Sequence, residues 1–301
     1  MAAIQFHRDL TFEYGKLERV TPLIRRIVAR NPGPFTFHGT GTYVVGHGRV
    51  AVIDPGPAIT AHVDALLDAL RGETIEHIVV THTHLDHSPA AAAVKAATGA
   101  PTYGYGPHGS GRGDHDGPAV EEGGDQNFRP DVTMRDGDVL DGGGWRLTAV
   151  HTPGHTSNHL CFALAEEKAL FSGDHVMGWS TSVISPPDGD MADYLASLDK
   201  LLGRDERLFW PTHGPAIPDP QTHVRAFIEH RQARTAAILK RLQAGDTLIA
   251  DMVAAIYVDV PQHLHRAAGR SVLAHLVQLV DQGRVTCEGP PTLGASYRLT
   301  G

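Results

Sequence analysis

The chain has 301 residues, 20% of them charged and 41% hydrophobic, the profile of an ordinary folded globular protein. That length exceeds one small core, so a peptide-sized module is excluded and a large α/β domain, alone or with an appendage, is expected. The net charge of −8 is uneven: residues 1–220 carry 17 Lys and Arg against 28 Asp and Glu, or −11, whereas residues 221–301 carry 9 against 6, or +3, so the two stretches read as different domains.

Two strand-like runs, 35–43 and 49–53, flank the turn Gly46-His47-Gly48 and predict a β-hairpin, with Asn31-Pro32-Gly33-Pro34 punctuating the approach. Residues 58–71 place Val63, Leu66, Leu67 and Leu70 at helical spacing, and Gly72 closes that helix. A strand over 75–81 follows and runs into Thr81-His82-Thr83-His84-Leu85-Asp86-His87. A helix over 88–98 comes next, with Ser88 as N-cap and Gly99 as its end. Residues 104–130 are rich in Gly, Asp and His and nearly free of aliphatic side chains, which predicts a long loop. Short strands resume at 145–150, 159–164 and 169–172. This alternation predicts an α/β layered architecture. Beyond residue 221 the pattern is three helices, at 223–242, 248–257 and 271–281, and a hairpin of 285–288 with 297–300 around Gly289-Pro290-Pro291, which match a winged helix-turn-helix.

Twenty histidines in one chain are many, and they cluster. Cys161 and Cys287 are the only cysteines, which excludes a disulfide framework and a cysteine-based zinc ribbon, so metal chemistry must use other ligands. Side chains two apart in a strand point the same way, so His82 and His84 can grip one cation from one side. Asp86 and His87 follow where the chain turns and would face a neighbouring position, which allows two metals. The tight turn in His151-Thr152-Pro153-Gly154-His155 favours His155 as a further ligand. Asp174 directly follows a strand and suits bridging, and His213 sits on the rigid turn Pro211-Thr212-His213-Gly214-Pro215.

The ordered set His82-x-His84-x-Asp86-His87, His155, Asp174 and His213 resembles the metallo-β-lactamase superfamily over roughly residues 30–220. The resemblance implies an αββα metallo-β-lactamase sandwich with a C-terminal winged-helix domain, divided as a catalytic domain over 1–220 and a winged part over 221–301. It implies one metal held by His82, His84 and His155, a second by Asp86, His87 and His213, and Asp174 between them. His151, His159 and His175 flank these ligands, and support of the ligands, substrate contact, packing and solvent exposure are all open for them. Asp54 resembles a family position that supports the metal ligands, and an ordinary turn aspartate is the equal alternative. The activity implied is that of a binuclear metal-dependent hydrolase whose nucleophile is a metal-bound hydroxide, with Asp86 orienting it. Two divalent ions are expected, zinc first, with manganese and iron also suited to imidazole and carboxylate.

Asn31-Pro32-Gly33, Gly39-Thr40-Gly41-Thr42-Tyr43, His-Thr-Pro-Gly-His-Thr at 151–156 and the 221–301 module look similar to the β-lactamase-like protein 2 group. That group includes endoribonucleases acting on single-stranded RNA. The same catalytic domain also resembles glyoxalase II-type thioesterases and lactonases, so RNA and a small ester or thioester stand as alternative substrates. Di-iron oxidoreductases of the superfamily typically carry Glu where this chain has His84, which argues against that class. Arg266, Arg270, Arg225, Arg231, Arg234, Lys240 and Arg241 offer a nucleic-acid surface, a solvated face or a domain contact. Met1 to Leu10 lacks the apolar segment of a secretory signal and no run of about 18 apolar residues occurs, so a cytoplasmic place and no membrane partner are expected.

Overall fold

The computed structural model describes residues 4–112 and 123–301. Its first sheet has the order β1 (Glu18–Arg19), β2 (Ile24–Val28), β3 (Gly41–Val45), β4 (Arg49–Ile53), β5 (Thr74–Val79), β6 (Thr102–Gly104) and β7 (Val132–Thr133). Strands β1 to β4 are antiparallel neighbours; β4 to β7 are parallel, with α1 (Thr60–Ala69) and α2 (Ala90–Thr98) as crossovers. The second sheet has the order β12 (Leu208–Pro211), β11 (Ala169–Gly173), β10 (Leu160–Leu164), β9 (Arg146–His151) and β8 (Val139–Asp141), with α3 (Met191–Leu202) crossing between β11 and β12.

Period-2 alternation stacks these layers. Tyr43, Val45, Ala51 and Ile53 face the second sheet and pack with Leu147, Phe162 and Phe171, whereas Val44, Val50 and Val52 face outward under Val63 and Leu66 of α1 and Val94 of α2. On the far side, Cys161, Leu170 and Phe209 of the second sheet lie under Tyr194, Leu198 and Leu201 of α3. Helix, sheet, sheet and helix are therefore the expected αββα sandwich.

Helix α4 (Pro220–Gln243) starts with Pro220 in its first turn, and the Asp219 carboxylate accepts from Thr222 N. Its Val224 and Phe227 join the core beneath the second sheet, while Ile238 and Leu242 join a separate core with α5 (Ile249–Ile256), α6 (His265–Asp281), β13 (Val285–Cys287) and β14 (Tyr297–Leu299). The antiparallel β13–β14 pair is the wing.

Several sequence expectations are corrected. The run 35–43 is a strand only from Gly41: Gly33 bridges to Phe37, and Phe37 adopts a φ of +56°, which turns the chain. The strand expected over 75–81 ends at Val79. Ser88 does not cap a helix, because its hydroxyl donates to the buried Asp125 carboxylate, and α2 begins at Ala90 without a side-chain cap. Helix α6 starts at His265, a turn and a half before the expected Ser271. Of the loop expected over 104–130, residues 113–122 lie outside the described residues; Phe128 on its return is buried against the first sheet's outer core.

Candidate metal centre

His82 and His84 lie beyond the end of β5, so strand alternation does not aim them. Asp54, just past β4, does much of that work. One carboxylate oxygen accepts from Thr81 N at 2.8 Å, and the other from the hydroxyls of Thr81 and Thr212 at 2.8 and 2.9 Å and from His87 Nδ1 at 2.9 Å. Asp54 is fully buried and holds a φ of +48°, a strained value for a non-glycine residue. Of its two sequence readings, the supporting role is the one the geometry selects. The 81–84 segment is further fixed by Leu160 N donating to Thr81 O and Asp125 N to Thr83 O.

Three ring nitrogens converge here. His84 Nδ1 lies 3.0 Å from His82 Nε2 and 3.1 Å from His155 Nε2. Donors at zinc-ligand distance around a tetrahedral ion would stand about 3.3 Å apart. Next to this trio, His213 Nε2 is 3.1 Å from Asp86 Oδ2 and 3.5 Å from Asp174 Oδ2, and His87 Nε2 is 3.6 Å from each of those oxygens. Asp174 Oδ2 is also 3.9 Å from His155 Nε2, so it stands between the groups. The structure thus brings together all of His82, His84, Asp86, His87, His155, Asp174 and His213, with overlapping trios able to hold a metal ion.

The opposite ring nitrogens are occupied. His155 Nδ1 donates to Val183 O at 2.6 Å, His213 Nδ1 to Gly39 O at 3.2 Å, His87 Nδ1 to Asp54, and His82 Nδ1 to the Thr81 hydroxyl at 3.1 Å. Each of these contacts fixes the proton on Nδ1 and leaves the Nε2 lone pair aimed inward, as metal-binding imidazoles require. His87 Nε2 and Asp174 Oδ1 are buried without a hydrogen-bond partner among the described residues. Buried polar atoms left without a partner are costly, and cations would satisfy them. The donor set therefore fits divalent metal.

Electrostatics agrees. Burial opposes ionisation of Asp86 and Asp174, but the adjacent His87 and His213 hold both carboxyls below the usual range. Burial pushes the two imidazoles down, yet the same carboxylates raise His213 to about 10 and lift His87 well above normal. Without metal, protons stand where cations would. His82 behaves oppositely: burial, then the neighbouring His87, His84 and His155, depress it.

The flanking histidines divide. His159 is buried, stacks on His82 and accepts from Asp174 N at 3.3 Å while its Nδ1 pairs with the Thr152 hydroxyl. A Cβ on Gly173, which has a φ of +52°, would stand 2.5 Å from His159 Nε2, so glycine is required there. His151 stacks on Tyr105 and faces Ser157 O, and His175 packs against Tyr194. Neither belongs to the converging set.

A cavity of about 390 Å³ opens on the cluster at His84, Asp86, His155 and Asp174. Phe35, Leu85, Met177, Trp179 and Val183 form its apolar walls, and Arg270 of α6 reaches it from the winged part. Sequence periodicity gave no sign of these wall residues, because they lie on separate loops. Arg231, offered above for a nucleic-acid surface, a solvated face or a domain contact, is buried and donates to Ser182 O, which joins α4 to the part below residue 220.

Residues 36–213 match the family model described as the metallo-beta-lactamase superfamily, and residues 249–290 match the beta-lactamase associated winged helix domain. The chain is 33% identical over 278 residues to a beta-lactamase-like protein 2 homolog of Caenorhabditis elegans, covering 89% of this chain and 88% of that one. It is 31% identical over 253 residues to the atrochrysone carboxyl ACP thioesterase AgnL7 of Paecilomyces divaricatus, covering 81% and 73%. A crystal structure of a metallo-beta-lactamase family protein from Thermus thermophilus superposes with a TM-score of 0.75 at 24% identity, covering 94% of this chain and 100% of that one.

Proposed function

This chain belongs to the metallo-β-lactamase superfamily, and from that premise we propose that it is a binuclear metal-dependent hydrolase acting on thioesters with an apolar acyl group. The observation that carries the reading is the cavity, whose apolar walls lead straight to the His and Asp cluster. Even with two divalent ions bound, a polyanion would meet a catalytic part of net negative charge, so RNA is the weaker fit. The thioesterase AgnL7 among the similar proteins supports the same choice.

His82, His84 and His155 would hold one divalent ion, Asp86, His87 and His213 the second, and Asp174 would lie between. Zinc suits this set first; manganese and iron remain open to assay. Such ions supply Lewis acidity and a water acidic enough to attack at neutral pH. The chain's own residues do the rest. Phe35, Leu85 and Trp179 exclude bulk water and seat the acyl group. Asp86, held as a carboxylate, accepts a hydrogen bond from the attacking water and so aligns its oxygen with the carbonyl carbon. The C–S bond then breaks, releasing acid and thiol. Residues 1–220 form the catalytic part in this reading and residues 221–301 the winged part, with α4 contributing to the cores of both. Free Cys161 and Cys287 suit a cytoplasmic setting.

The test is a side-by-side assay of metal-loaded protein on aryl and aliphatic acyl thioesters, a lactone and a short single-stranded RNA. Thioester turnover well above the others is expected; RNA cleavage with inert thioesters would replace this reading by the endoribonuclease one.

A further inference from the structure

The cavity joins three kinds of surface: the His and Asp cluster, apolar walls, and one guanidinium. Arg270 is the sole Lys or Arg among its described lining residues. Its location is built rather than incidental. On the same helix, Ala268, Gly269, Leu273 and Ala274 are buried, and Ala274 packs into the core beneath the second sheet beside α3. The winged part thus carries a half-buried cation to a fixed point on the cavity wall, where a charge pair is screened less than on an open surface.

We propose that Arg270 is a specificity-determining residue that pairs with a carboxylate borne by the substrate, so that the preferred thioester carries an anionic group beside its apolar part. The inference rests on the thioesterase reading and deepens it. A guanidinium presents a planar fork that matches a carboxylate in two parallel hydrogen bonds, and a cavity with apolar walls and one cation rewards a ligand that carries both kinds of group. Arg270 already has an interaction within the chain, which an incoming carboxylate joins or displaces.

The carboxylate can sit on the acyl group or on the thiol, and two pairs of substrates separate these sources. One pair is the N-acetylcysteamine thioester of 4-carboxybenzoic acid and its methyl ester; the other is the benzoyl thioester of 3-mercaptopropionate and that of its amide. On metal-loaded full-length protein, one pair is expected to show a preference for the carboxylate of about tenfold or more in kcat/KM, expressed in KM. Arg270→Met erases that ratio and Arg270→Lys restores part of it. No preference in either pair, or a preference that survives in Arg270→Met, overturns the proposal. If no thioester is turned over at all, the thioesterase reading fails and Arg270 is judged separately, by calorimetric titration with terephthalate and its monomethyl ester. Tighter binding of terephthalate by wild type but not by Arg270→Met then supports the anion site, and equal binding by both proteins rejects it.

Discussion

At the scale of single residues, the site depends on atoms whose partners are distant in sequence. Asp54 serves four donors from three segments, and its Oδ2 alone takes His87, Thr81 and Thr212. Asp54→Asn would put an amide nitrogen among donors, so affinity for the second metal is expected to fall about 10- to 100-fold, the usual cost of losing a partner that orients a metal ligand. Metal titration with a competing chelator reads this directly; unchanged affinity would remove Asp54 from the supporting role. His82→Ala deletes one of three converging nitrogens, and should abolish stoichiometric metal at its position and cut hydrolysis by at least about a hundredfold, more than the loss of an orienting partner does. Retention of two metals per chain in that variant would contradict the proposed ligand set. The family motif made the ligands legible. The reason they meet was not, because the segment carrying His82 and His84 is held by Thr81 N donating to Asp54 and by Asn158 Nδ2 donating to the Thr83 hydroxyl rather than aimed by the strand period.

At the scale of elements, tight turns deliver ligands. Gly154 adopts a φ of +132°, and a Cβ there would stand 2.3 Å from Tyr194 Cα and 2.4 Å from Tyr194 N of α3. Both the backbone angle and the contact demand glycine, so Gly154→Ala is expected to destabilise the fold by at least about 2 kcal/mol and to displace the neighbouring His155. Urea unfolding with metal analysis tests the pair of effects; wild-type stability would show that the turn tolerates a side chain. Helix periodicity and turn residues in the sequence placed α1, α2, α4 and the terminal hairpin close to their observed positions. Boundaries moved where a long-range partner intervened, as when Asp125 took the Ser88 hydroxyl and α2 began two residues later.

At the scale of the whole molecule, α4 ties the two cores together, and its far half meets α6 through a buried polar contact. His275 of α6 is fully buried; its Nδ1 pairs with the Thr235 hydroxyl and its Nε2 has no partner among the described residues. Burial, then the nearby Arg231, His230 and Arg234 of α4, push this imidazole down to about 3. A histidine kept neutral when folded and free to protonate near 6.5 when unfolded favours the unfolded chain as pH falls. Its contribution is therefore complete above about pH 6.5 and lost progressively toward pH 3, amounting to about 2 kcal/mol at pH 5. His275→Gln should accordingly lose about 2 kcal/mol less stability than wild type between pH 7 and pH 5. Equal acid sensitivity of the two proteins in denaturant titrations would show that His275 is not the group responsible.

The sequence by itself determined the class of chemistry and the layers, since ligand types at ordered spacing and the 2.0 and 3.6 residue periods are local properties of the chain. Only the tertiary structure decided which ring nitrogen faces inward, what the cavity walls are made of, and that α6 brings Arg270 to line it. Those depend on loops packed from separate segments, and no periodicity within any one of them encodes the contact.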